Sequence, residues 1–266
     1  LALTSRKLGF ILYHNLWLGL DWVFPPTCAS CECWGERICP TCLSQIEALP
    51  PHLCPKCSQP APQNGQVCAS CQSNPPPWQA CRSWAAYRGP LRAAIHRLKY
   101  QNDLGLCEPL SEHLVQLLQE QSWPVDCVVP VPLNHHRRRM RGYNQAAMLA
   151  FVLSLQTGLT FLPSALVRTK NTRSQVGLSA EERRRNLEAA FSARSKQIAG
   201  RSVLLLDDVM TTGATLSNAS QALLQAGASQ VYALSLARAL LEEHSTEAPQ
   251  SPAPFGGQQV NVPHSS

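Results

Sequence analysis

The run VLLLDDVMTTGATL, residues 203–216, constrains the fold of this chain more than any other segment. Four consecutive aliphatic residues are typical of a strand buried on both faces. Two acids, Asp207 and Asp208, end that strand, and a turn rich in threonine and glycine leads into a segment with helical periodicity. The run therefore predicts a strand, a turn and a helix, with two carboxylates at the carboxyl end of the strand.

The turn after the acids has the composition of a phosphate site. Free N–H groups at the start of a helix and the positive end of its dipole attract anions, and glycine allows close backbone approach. The candidates to hold the phosphate are Thr211, Thr212, Gly213 and Thr215. Carboxylates beside a phosphate indicate a sugar phosphate whose hydroxyls donate to the acids, together with Mg²⁺. The alternative is an N-capping aspartate on an ordinary strand–helix turn.

Helical and strand patterns alternate from Cys81 onward. The expected strands are DCVVPVPL, LTFLPSALV, RSVLLLDD and QVYALSLAR. The expected helices are GPLRAAIHRLKY, EPLSEHLVQLLQEQ, NQAAMLAFVLSLQTG, SAEERRRNLEAAF and ATLSNASQALLQAGA. Strands separated by helices imply crossovers and a parallel sheet covered on both faces. Ligands of such sheets bind at the carboxyl ends of the strands, where the two acids are predicted to lie.

Nine of the twelve cysteines fall between Cys28 and Cys71. Eight of the nine form four CxxC pairs, a spacing that suits tetrahedral metal binding better than disulfide formation. The expected ligands of two structural Zn²⁺ ions are Cys28, Cys31, Cys39, Cys42, Cys54, Cys57, Cys68 and Cys71. A four-cysteine shell leaves no position for water, which argues against catalytic zinc.

The spacing leaves the pairing of these ligands open. Sequential pairing, first pair with second and third with fourth, is simpler than crossed pairing. Cys33 is either a spare thiol or an alternative ligand, whereas Cys81, Cys107 and Cys127 are expected to be ordinary buried thiols.

The run at residues 203–216 resembles the phosphoribosyl pyrophosphate (PRPP) motif of type I phosphoribosyltransferases. Three further segments, DCVVPVPLNHHRRRMRGYNQA, RTKNTRSQVGLSAEERRRNLEAAF and YRGPLRAAIHRLKY, resemble the ComF family, which includes competence-associated and GntX-like DNA-utilisation proteins. The resemblance covers roughly Cys28 to Arg238. It implies a type I phosphoribosyltransferase-like parallel sheet flanked by helices, preceded by a small cysteine-rich zinc-binding module, a double zinc ribbon.

The resemblance also implies roles for matching residues. Asp207 and Asp208 are expected to bind the ribose 2′- and 3′-hydroxyls, directly or through Mg²⁺, and the threonine turn to hold the 5′-phosphate. Val131 and Pro132 are expected where this fold binds pyrophosphate. The segment from Arg168 to Asn186 resembles a loop that closes over PRPP and excludes water from an oxocarbenium-like transition state. Its candidates to reach pyrophosphate are Arg168, Lys170, Thr172 and Gln175.

A run of arginines follows the expected pyrophosphate loop: Arg137, Arg138, Arg139 and Arg141. Guanidinium groups there could neutralise the charge of a leaving pyrophosphate, and Arg141, in RGYNQ, is the strongest candidate. The alternatives are a solvated basic face or a nucleic-acid contact. Similarly, Trp34, Trp78 and Trp84 either stack on bases or, as the preferred interpretation, pack in the core.

Composition divides the chain into four parts. We expect an apolar helix over residues 1–24, a cysteine-rich zinc-binding module over residues 25–77, a phosphoribosyltransferase-like domain over residues 78–241 and a polar, disordered tail over residues 242–266. The stretch SNPPPWQ predicts a stiff linker between the second and third parts.

The apolar leader LGFILYHNLWLGLDWVFPP is interrupted by His14, Asn15 and Asp21 and lacks a small-residue cleavage site. It is too short and too broken to span a bilayer. We expect an amphipathic helix that packs on the protein, without stable membrane insertion; contact with a membrane surface is the alternative. With no signal peptide evident and thiols spaced as metal ligands, the expected compartment is the reducing cytoplasm.

Two functions are consistent with these patterns. The first is a Mg²⁺-dependent, PRPP-binding phosphoribosyltransferase, a glycosyltransferase that moves a pentosyl group to an unknown acceptor in DNA uptake or utilisation. The second is a non-catalytic PRPP-sensing or single-stranded-DNA-binding adaptor. DNA-uptake proteins are further expected partners, and the net charge of +6 is compatible with anionic ligands. No hood for an acceptor base is evident after the last strand, so the segment from Cys81 to Gln121 or the zinc module is expected to recognise the acceptor.

Overall fold

The computed structural model describes residues 5–169 and 190–240. Within these residues the helices are α1 (Ser5–Val23), α2 (Pro40–Ser44), α3 (Ala69–Ser73), α4 (Gly89–Tyr100), α5 (Cys107–Gln121), α6 (His135–Arg141), α7 (Gln145–Thr157), α8 (Ser195–Ile198) and α9 (Ala214–Gln225). The strands are β1 (Cys81–Ala86), β2 (Cys127–Pro130), β3 (Thr160–Phe161), β4 (Leu166–Arg168), β5 (Phe191–Ala193), β6 (Ser202–Met210) and β7 (Gln230–Arg238).

Five strands form one parallel sheet in the order β1-β7-β6-β2-β3. The central strand β6 pairs with β2 on one side, Leu206 opposite Pro130, and with β7 on the other, Leu206 opposite Leu234. Helices connect the parallel strands, as crossover geometry requires. The predicted α/β architecture is therefore confirmed.

Two strand predictions were wrong in detail. β1 was not expected, although it forms an edge of the sheet and pairs with β7. The single strand expected over LTFLPSALV is divided: β3 belongs to the sheet, whereas β4 pairs antiparallel with β5 in a separate two-stranded ribbon. Pro163 in a turn separates the two short strands, because proline fixes its backbone and lacks an N–H for the ladder. Most of the helix expected over residues 179–191 lies outside the described residues.

The sheet carries a hydrophobic core on each face. Alternate residues of β6 point to opposite sides, so Leu204 and Leu206 pack with α4, α5 and α7, while Val203 and Leu205 pack with α9 and the β4–β5 ribbon. The second face also includes Trp78 and three cysteines from the third and fourth CxxC pairs, Cys54, Cys57 and Cys71. Part of the cysteine-rich region therefore shares the core of the sheet.

Local sequence explains where the helices beside the sheet begin and end. Asn144 caps α7, its side chain accepting from the Ala146 N–H, and Gly158 ends that helix with φ of 80°. Pro90 lies in the first turn of α4, where its missing N–H has no intrahelical partner to lose.

Helix α1 packs along α7 with an unusual distribution of side chains. Phe10 and Tyr13 lie against the core, and His14 is hydrogen-bonded to Glu108. The opposite side exposes large apolar residues, among them Leu12 (63%) and Trp22 (87%). The expected helix is present and packs on the protein, yet its outward face is apolar rather than polar. In the part of the chain that the structure describes, no helix has both the length and the apolarity needed to cross a membrane.

Candidate functional site

The crevice, as named here, is the region at the carboxyl ends of the central strand β6 and its neighbour β2. From β2 the chain moves outward to β3, whereas from β6 it moves in the opposite direction to β7. The neighbouring strands β2 and β6 thus form a switch point, where parallel α/β sheets bind ligands at the carboxyl ends of their strands. Val131, which follows β2, donates its N–H to the Leu206 carbonyl at 2.9 Å, so the two strand ends are joined.

Asp207 and Asp208 lie on the part of β6 that extends beyond the end of β2. They still pair with β7 on the other side, Asp207 opposite Ser235. Since adjacent strand residues face opposite ways, the two carboxylates have different surroundings. Asp208 is 5% exposed, while Asp207 is partly exposed and its Oδ1 accepts from the Asp208 N–H at 2.9 Å.

Asp208 is the centre of a polar network that the sequence did not predict. Lys99, at the end of α4, places its Nζ 2.5 Å from Asp208 Oδ2. Gln145, the first residue of α7, donates to the same oxygen at 3.4 Å and accepts from Arg141 Nη1 at 3.0 Å. Arg141 also stacks on Tyr100 at 4.9 Å. The predicted pyrophosphate residue Arg141 is therefore connected to the acid pair through Gln145.

The two acids differ electrostatically. Burial and the neighbouring Asp208 carboxylate raise the pKa of Asp207 well above its usual value, although Lys99 acts in the opposite direction. Arg168, on β4, interacts electrostatically with Asp207, and its guanidinium lies 5.3 Å from the ring centroid of Phe191. Its Nε is buried without a hydrogen-bond partner among the described residues. Arg168 thus lies on the Asp207 side of the sheet.

The turn between β6 and α9 has the geometry of an anion site. Gly213 is the N-cap of α9 and has φ of 82°, a left-handed conformation that favours glycine. A Cβ at this position would lie 2.9 Å from Met210 Cε and 3.4 Å from Trp78 Cη2, so the end of the Met210 side chain would have to shift. Thr211, Thr212 and Thr215 are exposed around it. Gly213 has no side chain to cap the helix, and the Ala214 N–H in the first turn donates to Thr212 Oγ1 at 3.4 Å.

Arg238 stabilises this turn through hydrogen bonds to its backbone. It is 3% exposed and donates through Nη1 to the carbonyls of Met210, at 3.0 Å, and Thr211. Burial lowers the pKa of Arg238, whereas the thiols of Cys57 and Cys81 act in the opposite direction, Cys57 also through a hydrogen bond. One guanidinium therefore contacts both the predicted phosphate turn and the second group of cysteines.

A cavity of about 440 Å³ lies between that cysteine group and the turn. Its walls include Trp78, Asn74, Gly213, Asn218 and Arg238. Trp78 is 3% exposed and donates its indole N–H to the Lys56 carbonyl at 2.5 Å. This tryptophan is a packing residue, in agreement with the preferred interpretation. The cysteine-rich region is thus one wall of a cavity that opens beside the phosphate turn.

The other residues predicted to bind pyrophosphate lie after β2, on α6 and between β4 and β5. Val131 has both backbone groups engaged, because its carbonyl accepts from Asn144 Nδ2 at 2.9 Å. Pro132 follows it at the mouth of the crevice. The exposed helix α6 carries Arg137, Arg138 and Arg139. Lys170, Thr172 and Gln175 lie outside the described residues, between β4 and β5.

The cysteines form two groups, as sequential pairing predicts. The sulfur atoms of Cys54, Cys57, Cys68 and Cys71 all lie within 4.8 Å of one another. Burial raises the pKa of Cys54, but N–H groups of Cys68, Lys56 and Cys57 donate to it and bring the pKa down to about 7. A lowered pKa favours the thiolate, which is the form of cysteine that binds metal. The donor set suits tetrahedral Zn²⁺.

The first group contains a fifth cysteine. The sulfurs of Cys28, Cys31, Cys33 and Cys39 lie within 4.8 Å of one another, a set that includes Cys33 and not the expected Cys42. Cys42 is nevertheless buried against Cys28 and Cys39, and its N–H donates to Cys39 Sγ at 3.4 Å. N–H groups of Cys31 and Cys39 oppose the effect of burial and lower the pKa of Cys28 to about 6. This donor set also suits Zn²⁺.

Comparison with known proteins agrees with this geometry. Residues 19–72 match the double zinc ribbon domain family, and residues 140–260 match the phosphoribosyl transferase domain family. The chain is 36% identical over 212 residues to the DNA utilization protein YhgH of Escherichia coli O157:H7, covering 78% of this chain and 92% of that protein. The chain belongs to the ComF family.

Another ComF family relative is Competence protein F of Haemophilus influenzae, 36% identical over 209 residues, with 76% of this chain and 90% of that protein covered. Among solved structures, the glutamine phosphoribosylpyrophosphate amidotransferase from B. subtilis matches with 21% identity and a TM-score of 0.37. That match covers 49% of this ComF family chain and 26% of the amidotransferase.

Sequence reasoning missed three residues at these sites, Lys99, Gln145 and Arg238, and left open whether Cys33 is a spare thiol or an alternative ligand. A signal for Lys99 exists, because it continues the buried stripe of Leu91 and Ile95 at a spacing of four residues. A cation on the inward stripe of a helix needs a buried partner. Arg238 similarly ends an apolar strand, where an isolated charge indicates a specific contact.

Proposed function

We propose that this ComF family protein binds PRPP with Mg²⁺ in the crevice between β2 and β6 and transfers the phosphoribosyl group to an acceptor. The observation that carries the proposal is the continuity of Asp207 and Asp208 with the Gly213 turn at the switch point. Acids for the ribose hydroxyls and helix N-terminal N–H groups for a phosphate are adjacent, the acids on β6 and the N–H groups at the start of α9.

Each part of the crevice has a separate task in this proposal. The N–H groups at the start of α9, with the hydroxyls of Thr211, Thr212 and Thr215, bind the 5′-phosphate. Asp207 and Asp208 accept hydrogen bonds from the ribose hydroxyls. When bound with PRPP, Mg²⁺ supplies positive charge for the pyrophosphate oxygens, and the acids are its available oxygen ligands.

Lys99 makes the two acids unequal. Its ammonium pairs with Asp208 and orients that carboxylate, whereas Asp207 has a raised pKa and retains its proton more readily. Adjacent carboxylates in different surroundings can perform different tasks. In our proposal Asp208 is the fixed acceptor for ribose, and Asp207 binds as a carboxylate only when ligand and cation enter.

The transfer step needs a leaving pyrophosphate and an incoming nucleophile. The C1′–O bond to pyrophosphate breaks, a bond from the acceptor to C1′ forms, and the acceptor loses a proton. Two cations lie near the acid pair. Arg141 is hydrogen-bonded to Gln145, which in turn donates to Asp208, and Arg168 interacts electrostatically with Asp207. They are suited to stabilise the charge of pyrophosphate. The proposal also assigns Lys170 and Gln175 to that role.

Soaking crystals in PRPP and Mg²⁺ tests the site. We expect the 5′-phosphate at the Gly213 turn and the ribose hydroxyls at Asp207 and Asp208. An empty turn, with Asp208 still paired to Lys99, would contradict the proposal.

A second assay separates an enzyme from a sensor. Pyrophosphate release is measured while candidate nucleophiles, including bases, amines and single-stranded DNA, are added to protein and PRPP. Release that depends on one acceptor supports transfer. Tight PRPP binding without release for any acceptor supports the non-catalytic PRPP-sensing function.

The exposed arginines favour a second candidate function, binding of single-stranded DNA. Helix α6 presents Arg137, Arg138 and Arg139 to solvent beside the crevice, and no acidic side chain lies within that helix. Phosphate contacts by such residues weaken steeply with salt. Replacing all three by glutamine should reduce both DNA affinity and its salt slope, measured by fluorescence anisotropy, while PRPP binding persists. Unchanged DNA affinity would refute this candidate.

The names of the relatives support a role in DNA uptake or utilisation, and the convergence of thiols as metal ligands supports the reducing cytoplasm as its compartment. For the acceptor, we propose recognition by the segment from Cys81 to Gln121 or by the zinc module. The cavity bounded by Trp78 and Gly213 supports the second choice. Trp78→Phe removes the indole N–H that donates to the Lys56 carbonyl and changes this wall of the cavity, so it should change acceptor specificity in the pyrophosphate-release assay.

A further inference from the structure

The first cysteine group, Cys28 to Cys42, brings five thiols to a site where zinc needs four. A tight turn returns the chain on itself: the Cys28 N–H donates to the Cys33 carbonyl at 2.8 Å, and Thr27 bridges to Trp34. This turn places the Cys33 sulfur beside those of Cys28, Cys31 and Cys39. Cys33 is therefore positioned by backbone hydrogen bonds rather than by chance proximity.

Cys42 reaches the same group from the other side. Cys39 is the N-cap of α2, and its sulfur accepts from the Cys42 N–H one turn later. Cys42 is 3% exposed and packs against Cys28 and Cys39, whereas Cys33 is exposed. The two candidate fourth ligands thus differ in position, since only the Cys33 sulfur lies within 4.8 Å of the other three, and in their access to solvent.

We propose that the first group binds one Zn²⁺ through two overlapping ligand sets, which share Cys28, Cys31 and Cys39 and exchange Cys33 for Cys42. Zinc has no geometric preference that would distinguish the two tetrahedra, since both consist of four thiolates. During the exchange one Zn–S bond forms as the other breaks. The incoming thiol gives up a proton and the departing thiolate takes one up, so the charge of the site is unchanged.

The second group provides an internal contrast. Its four sulfurs come from Cys54, Cys57, Cys68 and Cys71, and the nearby Cys81 directs its thiol to Met210 Sδ at 3.2 Å. Among the described residues no further cysteine joins that set. Exchange is thus expected at the first zinc and not at the second, and the inference is independent of PRPP binding.

Zinc content of purified variants, measured by mass spectrometry of the metal, tests the overlap. We expect wild type, Cys33→Ser and Cys42→Ser each to retain two zinc ions per chain. The double variant Cys33→Ser/Cys42→Ser should retain one, as should Cys39→Ser, which removes a shared ligand. Loss of one zinc from Cys42→Ser alone, or two ions in the double variant, would overturn the proposal.

Thiol labelling provides a second measurement on protein that is folded and zinc-loaded. In wild type we expect maleimide to modify Cys33 while both zinc ions remain bound, because Cys42 then completes the shell. In Cys42→Ser the zinc should protect Cys33, and forced labelling should release one ion. Equal reactivity of Cys33 in wild type and Cys42→Ser would show that it is no ligand.

Discussion

The two cysteine groups each contain two CxxC pairs but have different relations to the rest of the molecule. The second group lies in the core on one face of the sheet: Cys54, Cys57 and Cys71 pack with Trp78 and the central strand. The first group forms its own small cluster, which shares the partly buried Ile38 with the core on one face of the sheet, and two of its thiols are exposed. One group is part of the phosphoribosyltransferase-like core, and the other is peripheral.

This difference teaches that a repeated metal-binding motif need not have a repeated role. Around the second group, Arg238 contacts both Cys57 and the carbonyls that precede the phosphate turn. The Cys81 N–H also donates to the Pro55 carbonyl at 3.2 Å, joining the group to β1. The state of the second zinc site should therefore affect the proposed PRPP crevice, whereas the state of the first should not.

The largest predicted effect follows from removing one zinc ligand from each group and comparing the two variants. Structural zinc contributes on the order of 10 kcal/mol to small domains. Cys54→Ser should lose one zinc and the cooperative unfolding transition of the sheet, because its sulfur is in the main core. Cys39→Ser should also lose one zinc but keep that transition, measured by thermal denaturation with circular dichroism. Equal loss of the transition in both variants would remove the distinction.

The next effect concerns Arg238. Arg238→Met removes the hydrogen bonds to Met210 and Thr211, each worth about 1.5–3 kcal/mol when a charged group donates. We expect both zinc ions to remain and PRPP affinity to fall about tenfold, equivalent to about 1.4 kcal/mol. The matched control is Arg82→Met, since Arg82 donates to the Pro55 and Cys81 carbonyls without contacting the turn. Similar losses of affinity in the two variants would refute the coupling.

A smaller effect on PRPP affinity is expected from substituting Gly213 in the turn between β6 and α9. Gly213→Ala and Gly200→Ala both put a side chain on a residue with positive φ, 82° and 73°, at a strain of about 1–3 kcal/mol. Only the first meets neighbouring atoms, Met210 and Trp78; at Gly200 the space is open. Both should lower the melting temperature, and only Gly213→Ala should weaken PRPP binding as well. A normal affinity for that variant would argue against the turn as the phosphate site.

The smallest effect is a pH dependence. The raised pKa of Asp207 means that its proton must leave before the carboxylate can bind ligand or Mg²⁺. PRPP affinity in the presence of Mg²⁺ should therefore rise with pH through the raised pKa, with proton release on binding. Calorimetry in buffers of different ionisation enthalpy measures that release. Asp207→Asn should abolish it; release that persists in this variant would assign the proton to another group.

The regions differ in how far sequence alone could predict them. The β6 strand, its acids and the start of α9 were predictable, because each is encoded by neighbouring residues. Strand β1 was missed: its sequence CRSWAA carries an arginine and a serine, and only pairing with β7 makes it a strand. Lys99 and Arg238 reach their partners across more than 25 residues of chain, so no local pattern reports those contacts. The position of the Cys33 sulfur beside those of Cys28, Cys31 and Cys39 depends on the backbone turn at Thr27, which no local sequence pattern reports.

Titration calorimetry with PRPP, with and without Mg²⁺, tests the central claim most directly. We predict binding of one PRPP per zinc-loaded chain in the presence of Mg²⁺. That binding should disappear in Asp207→Ala/Asp208→Ala, while the two zinc ions and the unfolding transition are retained. Absence of binding by wild type, or unchanged affinity in the double variant, would contradict the assignment of the crevice between β2 and β6 as a PRPP site.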